Sequence, residues 1–412
     1  MALETSSGRR PALAAIALSM LVATLFAGCR SGESDDPLLR ERVVSIDGEA
    51  LSRFLVHIAQ LEGTPAAGYS RRLLDHVASC GELWAHFDAP EPNGEPSLAF
   101  DSPAFDCRDH SAETSDLVAL VRAHRGAADG FLSWPIGEDG RLELRLDVDP
   151  EGGLEIAGAL VPPSDPGAFS LFIPGSDAPD APVVAPSAAL VHLRMRPAQG
   201  IGLSNLIPAG SQADRLFALK GRLLEGALLT GTWEFAFMPP APDGEIPLAV
   251  GALHHRLAGP LEEALDEALS QLETTWPIHR SPRPFPIAGG ATLEGGCFLD
   301  LPLLPELAPC WVVTPDALLI GYRGEAIDAA LAPPAVSSAA GERTSDREEA
   351  ARDARAAGRL EIHLDRLKRV DEKRLGADAP PHPGRFFSRF ELRMAAEGDG
   401  RISIHARLRR NP

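Results

Sequence analysis

Three short stretches bring together residue types that could do chemistry. DVDPEGG at 147–153 sets Asp147, Asp149 and Glu151 at alternating positions, as the start of a calcium loop does. The twelfth position of that loop is Gly158, where a bidentate Glu belongs, so the stretch reads as a plain hairpin turn. FDCRDH at 105–110 offers Asp106, Asp109 and His110 for acid–base work, but it surrounds a cysteine suited to a disulfide and reads as a solvated loop. His254 and His255 are adjacent, so on a strand they face opposite sides and do not share a metal. No G-x-S-x-G elbow is present, the nearest approach being GLSNL at 202–206, and there is no H-E-x-x-H, phosphate loop or dinucleotide fingerprint. The residues name no catalytic group, no metal site and no cofactor.

The cysteines say more. Besides Cys29 there are four, Cys80, Cys107, Cys297 and Cys310. An even number in an exported chain points to disulfides, and four cysteines allow three connectivities. Proximity in sequence favours Cys80–Cys107 and Cys297–Cys310. Zinc is the rival reading, and no C-x2-C or H-x3-H spacing supports it.

The elements that would position these residues occur twice. Residues 73–100 and 223–250 align without gaps with ten identities in 28 positions, including Leu73/Leu223, Gly81/Gly231, Phe87/Phe237 and Gly94/Gly244. Leu83, Ala85 and Phe87 lie on one side of a strand, as do Trp233, Phe235 and Phe237. Asn93-Gly94 and Asp243-Gly244 then mark hairpin turns, and Pro96 and Pro247 predict that the following strand is an edge. A second echo sets 140–160 over 388–408 with seven identities in 21; in both, a glycine-bearing turn joins two alternating strands. Leu73, Leu74 and Val77 mark a helix before the first hairpin, and Leu216, Leu219, Leu223 and Ala227 its counterpart, with Ser211 and Asp214 as a capping pair. Leu117, Leu120 and Val121 follow the first hairpin; Leu261, Leu265, Leu269 and Leu272 follow the second, with Pro260 at the first helical position.

The expected fold class is therefore α+β: two tandem related units of antiparallel sheet plus helices. The element order is compatible with a ferredoxin-like split βαβ plus one strand. The first unit spans 41–162 and the second 188–412. Between them, 163–187 is a Pro-rich linker or a strap laid over one unit; the surrounding 161–189 holds seven prolines in 29 residues. The second unit carries an insertion at about 275–358, with an expected hairpin in WVVTPDALLIGY turning at Thr314–Asp316 and a charged, Ala-rich stretch at 341–358 that reads as solvated helix or disorder.

The N-terminus bears on address. Arg9 and Arg10 precede an uncharged apolar run, Ala12–Ala27, shorter than the ~20 residues a spanning helix needs, so residues 1–28 read as a cleaved signal peptide. The closing LFAGC resembles the lipobox of bacterial lipoproteins, with Ala27, Gly28 and Cys29 in register. The resemblance implies that Cys29 receives a diacylglyceryl group and becomes the mature N-terminus, which anchors the protein to membrane. The tether, residues 29–40, leaves 11 residues after Cys29, a reach of about 40 Å. In that family an Asp after the cysteine favours the inner membrane; here Arg30 points to the periplasmic face of the outer membrane.

Charge narrows the partners. The chain has 39 Lys+Arg against 58 Asp+Glu, net −19. Removing residues 1–28, net +1, leaves −20, and 341–412 carries 17 basic against 13 acidic residues, so the preceding body is at −24. Such a body repels nucleic acid, whose phosphates need a basic face. The expected function is a non-catalytic binding or scaffolding module of the cell envelope, with an envelope protein as partner. The alternatives are a carrier of an apolar ligand and a hydrolase whose site is not visible in sequence.

Overall fold

The protein is described here from a computed structural model. It describes residues 43–60, 81–86, 104–108, 116–136, 139–164, 189–198, 229–241, 247–275, 278–287, 290–299, 308–332, 356–376 and 382–411, with shorter pieces between 70 and 77 and between 173 and 184. The fold is α+β. In chain order the elements are β1 (Val43–Asp47), α1 (Gly48–Ala59), β2 (Glu82–His86), β3 (Ala104–Arg108), α2 (Asp116–Arg125), β4 (Gly130–Ile136), β5 (Gly140–Val148), β6 (Leu154–Val161), β7 (Val191–Met195), β8 (Leu229–Met238), β9 (Leu248–His255) and α3 (Ala258–Thr275). They continue with β10 (His279–Pro286), β11 (Thr292–Leu299), β12 (Cys310–Val313), β13 (Ala317–Gly321), α4 (Gly324–Leu331), β14 (Gly358–His363), α5 (Leu364–Leu375), β15 (Phe387–Ala396) and β16 (Ile402–Arg410). Among the described residues no helix is long and apolar enough to cross a membrane.

Two compact units divide the chain, with the boundary after Phe169, inside the Pro-rich stretch. They are not simply tandem. Residues 364–390 and 397–412 belong with the first unit, while 391–396 belong with the second. The physical reason is a ladder: β16 pairs antiparallel with β6, from Ile402↔Leu160 to Leu408↔Leu154.

In the first unit the strands run β16-β6-β5-β4-β1-β2-β3, every pair antiparallel. Strand β1 passes directly into α1 because the Asp47 carboxylate accepts from the amide of Ala50, capping the helix start. Both faces of the β1–β2 region are covered. Val43, Trp84 and Phe131 pack on Val118 and Val121 of α2, whereas Ile46 and Leu83 pack with Val77 and Leu51. The helical face of α2 is thus Val118/Val121 with Leu120 at its margin.

The order departs from a ferredoxin-like split βαβ. There, the strand after the first helix leaves a slot beside β1; here β2 itself occupies that slot. One crossover helix returns the chain parallel to its starting strand. Between β1 and β2 the chain adds to α1 a second helical stretch, holding Ser70, Arg71, Leu74, Asp75 and Val77, and so comes back antiparallel.

The hairpins β5–β6 and β15–β16 turn identically. Asp149 N donates to Gly153 O and Gly152 N to Asp149 O; at the positions aligned in sequence, Glu397 N donates to Arg401 O and Gly400 N to Glu397 O. Gly152 and Gly400 hold φ of 86° and 83°, a left-handed conformation that favours glycine.

In the second unit the order is β10-β11-β12-β13-β9-β8-β7-β14, again antiparallel throughout. The segment β9-β8-β7-β14 repeats the sequence of neighbours β3-β2-β1-β4 in the first unit. Strands β10–β13 and α4 fall within the 275–358 stretch and extend the sheet beyond β9. The prediction that Pro247 makes β9 an edge is therefore corrected: β13 pairs with β9, from Ala317↔His254 to Gly321↔Val250. Pro247 escapes the ladder by lying just before β9. The WVVTPDALLIGY hairpin turns at Thr314–Asp316, where Thr314 Oγ1 accepts from Asp316 N and Ala317 N.

Helices α3 and α4 take opposite faces of this sheet. Leu261 of α3 packs on Val313 and Leu318, while Ala326, Ile327 and Ala330 of α4 pack on Val250, Val312, Leu319 and Phe285. Strand β10 pins both. Arg280 pairs with Asp266 and Glu273 of α3, and Arg283 pairs with Asp328 of α4. Helix α3 starts at Ala258, two residues before the predicted Pro260, which sits in the first turn where no amide donor is required. The Pro-rich stretch is a strap on this unit: Val184 is buried in the core and Pro174 bridges Pro197.

Candidate functional site

Among the described residues two clusters of buried polar groups stand out, one in each unit. In the second unit Glu234, on β8, lies in the core face of the sheet with its side chain fully buried. Its Oε1 accepts from His254 Nε2 at 2.6 Å and from Val183 N at 2.9 Å; Oε2 accepts from His192 Nε2 at 3.1 Å and from Val184 N at 3.4 Å. An ionised carboxylate only accepts, so both imidazoles carry a proton on Nε2. Register brings them together: β8 lies between β7 and β9, with His192 opposite Ala236 and Glu234 opposite Ala252. Burial works to raise the Glu234 pKa, but the donors from His192, His254 and Val183 outweigh it and lower it to about 2. Glu361 sits opposite His192 across the β7–β14 ladder, paired with Arg359 at 2.5 Å.

In the first unit Glu82, on β2, is likewise fully buried. Ser45 Oγ donates to Oε1 at 2.7 Å, Arg125 Nη1 to Oε1 at 2.5 Å, and Arg122 to Oε2 through Nη2 at 2.8 Å and Nε at 3.2 Å. Arg122 and Arg125 stand one turn apart on α2, so a single helix face delivers both guanidinium groups. Burial pushes the Glu82 pKa up, yet the bonds from Ser45 and Arg122 hold it below the ordinary carboxylate range.

These clusters were missed in the sequence, and the reason is geometric. Glu82 and Glu234 alternate with apolar residues on their strands, which mimics a wet face, yet helices or the strap cover that face too. Arg122 and Arg125 at i, i+3 opposite a lone strand glutamate are the one signal that could have found the first cluster.

The predicted residues fall elsewhere. Cys297 and Cys310 stand opposite each other on β11 and β12 and form a disulfide, with S–S 2.05 Å. Cys107 lies on β3; Cys80 and Cys29 lie outside the described residues. So do both hairpin turns at 93–94 and 243–244, the 211–227 helix and most of 341–358. Asp149 spends its carboxylate on the turn, accepting from the amides of Glu151 and Gly153 at 2.9 and 2.8 Å. His254 and His255 point to opposite faces, His254 to Glu234 and His255 to the carbonyl of Thr314. Among the described residues no group of three or more His, Cys, Asp or Glu could hold a metal ion.

Compared with known proteins, the chain matches no family model, no curated protein and no solved structure. What remains is the chemistry of the two clusters. Each carboxylate is surrounded by donors already committed to it, and each is sealed from solvent. Such an arrangement latches strands, helix and strap together; it leaves no oxygen directed at a substrate.

Proposed function

We propose that the protein is a cell-envelope lipoprotein, anchored through Cys29, whose body is a non-catalytic binding or scaffolding module. The observation that carries the reading is LFAGC, at 25–29, closing the apolar run that begins at Ala12. Two acyl chains anchor stably where one does not. Strand β1 opens at Val43, which is 43 − 29 = 14 residues after the acylated cysteine. The body is therefore held within about 50 Å of the lipid surface. Arg30 favours the periplasmic face of the outer membrane as its address.

The body itself is one pattern used twice. The coincident strand neighbours, the identical turns at Gly152 and Gly400 and the aligned sequence stretches support a duplication, with the stretch at about 275–358 inserted into the second copy. The committed carboxylates of Glu82 and Glu234 favour a binding module over the hydrolase alternative. The decisive experiment compares wild type with Cys29→Ala in cells fed an alkyne-tagged palmitate analogue. Wild type is expected in the outer-membrane fraction carrying the label, and Cys29→Ala without it. A wild-type protein without label, or a Cys29→Ala variant that still carries it, contradicts the anchor.

A further inference from the structure

In the first unit, the segment that returns after α5 is fastened by contacts made with two histidines. The short helical turn Pro383–Arg385 is started by His382, whose Nδ1 accepts from Gly384 N at 2.9 Å. A ring nitrogen that accepts carries no proton, so His382 is neutral and its proton sits on Nε2. Gly384 is buried so closely against the carbonyl of Leu364 that a Cβ would not fit, which seats the turn on the start of α5. The turn in turn holds the chain end: Asn411 Nδ2 donates to Gly384 O at 3.0 Å and Asn411 N to Phe386 O at 2.8 Å. Phe386 and Phe387 then lie against the His57 ring of α1, with centroids 5.9 and 6.5 Å away, and Phe387 also meets Phe54 at 6.0 Å.

Asp371, Glu372 and Lys368 of α5 face His382, with Asp371 Oδ2 3.9 Å from its Nε2. Burial, helped by Lys368, outweighs both carboxylates and holds the His382 pKa below the ordinary histidine value. Around His57 stand Arg410 of β16, and Asp149 and the Glu151 carbonyl of the β5–β6 turn; Arg53, one turn earlier on α1, is engaged by Glu49 and Asp129. Burial and the Arg410 charge outweigh Asp149 and the Glu151 carbonyl, so this pKa is lowered as well.

We propose that His382 and His57 form a pH-operated clasp within the first unit, closed while both rings are neutral and loosened when they take up protons. A proton arriving on His382 Nδ1 turns an acceptor into a donor and sets it against the Gly384 N–H, so the bond that starts the turn is lost. A proton on His57 places a half-buried cation beside Arg410. Because both pKa values are lowered in the closed segment, the open segment binds protons better. The clasp is therefore complete above pH 6.5, the ordinary histidine value, and weakens as pH falls below it. That window lies above the one in which Glu234 titrates, and the clasp does not depend on the lipoprotein reading.

The test follows amide hydrogen exchange in the full chain at pH 7.5 and pH 5.5, corrected for the intrinsic pH dependence of exchange. The amides of Gly384, Arg385, Phe386 and Asn411 report on the clasp. In the wild type their opening is expected to increase at pH 5.5, by up to about tenfold for each histidine, while the β8–β9 ladder of the second unit is unchanged. His382→Asn keeps an acceptor for Gly384 N without a titrating group, and His57→Gln removes the second ring. Each variant should lose part of the pH response and the double variant all of it. Equal opening at both pH values in the wild type, or a response that survives in the double variant, overturns the proposal. A 15N NMR titration of the wild type reads the same claim without a substitution: His382 is expected to carry its proton on Nε2 alone at pH 7.5, and a proton on Nδ1 at that pH contradicts the clasp.

Discussion

Glu234 shows how far one side chain can organise a fold. It gathers donors from β7, from β9 and from two consecutive amides of the strap, so removing it leaves two imidazoles and two amides buried without their acceptor. Glu234→Ala is expected to destabilise the protein by about 3–5 kcal/mol, read from urea unfolding at neutral pH. The same carboxylate makes stability depend on pH. Its pKa is lowered in the fold from 4.5 to about 2, so its contribution is complete above pH 4.5 and lost as pH falls toward 2. The shift is worth roughly 3 kcal/mol. In Glu234→Gln that part of the acid sensitivity should be absent, and urea midpoints at pH 7 and pH 3 check this; equal acid sensitivity in both proteins would contradict it. Neither Glu82 nor Glu234 was legible in the sequence, because their side-chain partners lie 20 to 43 residues away along the chain. Local spacing does not encode such pairs.

Elements were legible where the signal is local. The hairpins at 140–160 and 388–408 announce themselves through period-2 alternation and a glycine at the turn. Their equivalence makes a prediction. Gly400→Ala meets nothing within 4 Å and carries only the cost of a left-handed alanine, about 1–2 kcal/mol. A Cβ at Gly152 would also lie 2.6 Å from the His57 ring, so Gly152→Ala should lower the melting temperature more. Thermal melts of the two variants decide it. Helix α1 was overlooked although Asp47 before Leu51, Leu55 and Ala59 carries both a cap and an i, i+4 stripe. The edge at β9 was misread for a different reason: the strand that covers it, β13, comes more than 60 residues later in the chain, and no local pattern reports it. Strands β11 and β12 are stapled by Cys297–Cys310, which spans 13 residues. Cys297→Ser should cost about 3 kcal/mol, with the same loss in the wild type under reductant.

At the scale of the whole molecule, the α+β class was legible and the topology was not. The position of β2 beside β1 depends on how many helical segments separate them, which composition does not count. On the proposed lipoprotein reading the mature chain carries a charge of −20, which bears on membrane attachment. An acidic body is repelled by anionic lipid, so the unlipidated Cys29→Ala protein should remain unbound when floated with anionic vesicles. On the proposed reading, attachment then depends on covalent lipid alone. Mass spectrometry of the N-terminal peptide of protein purified from membranes tests this most directly. The account predicts a chain beginning at Cys29 and carrying a diacylglyceryl group on Sγ; a mature chain beginning at any other residue, or an unmodified Cys29, would contradict it.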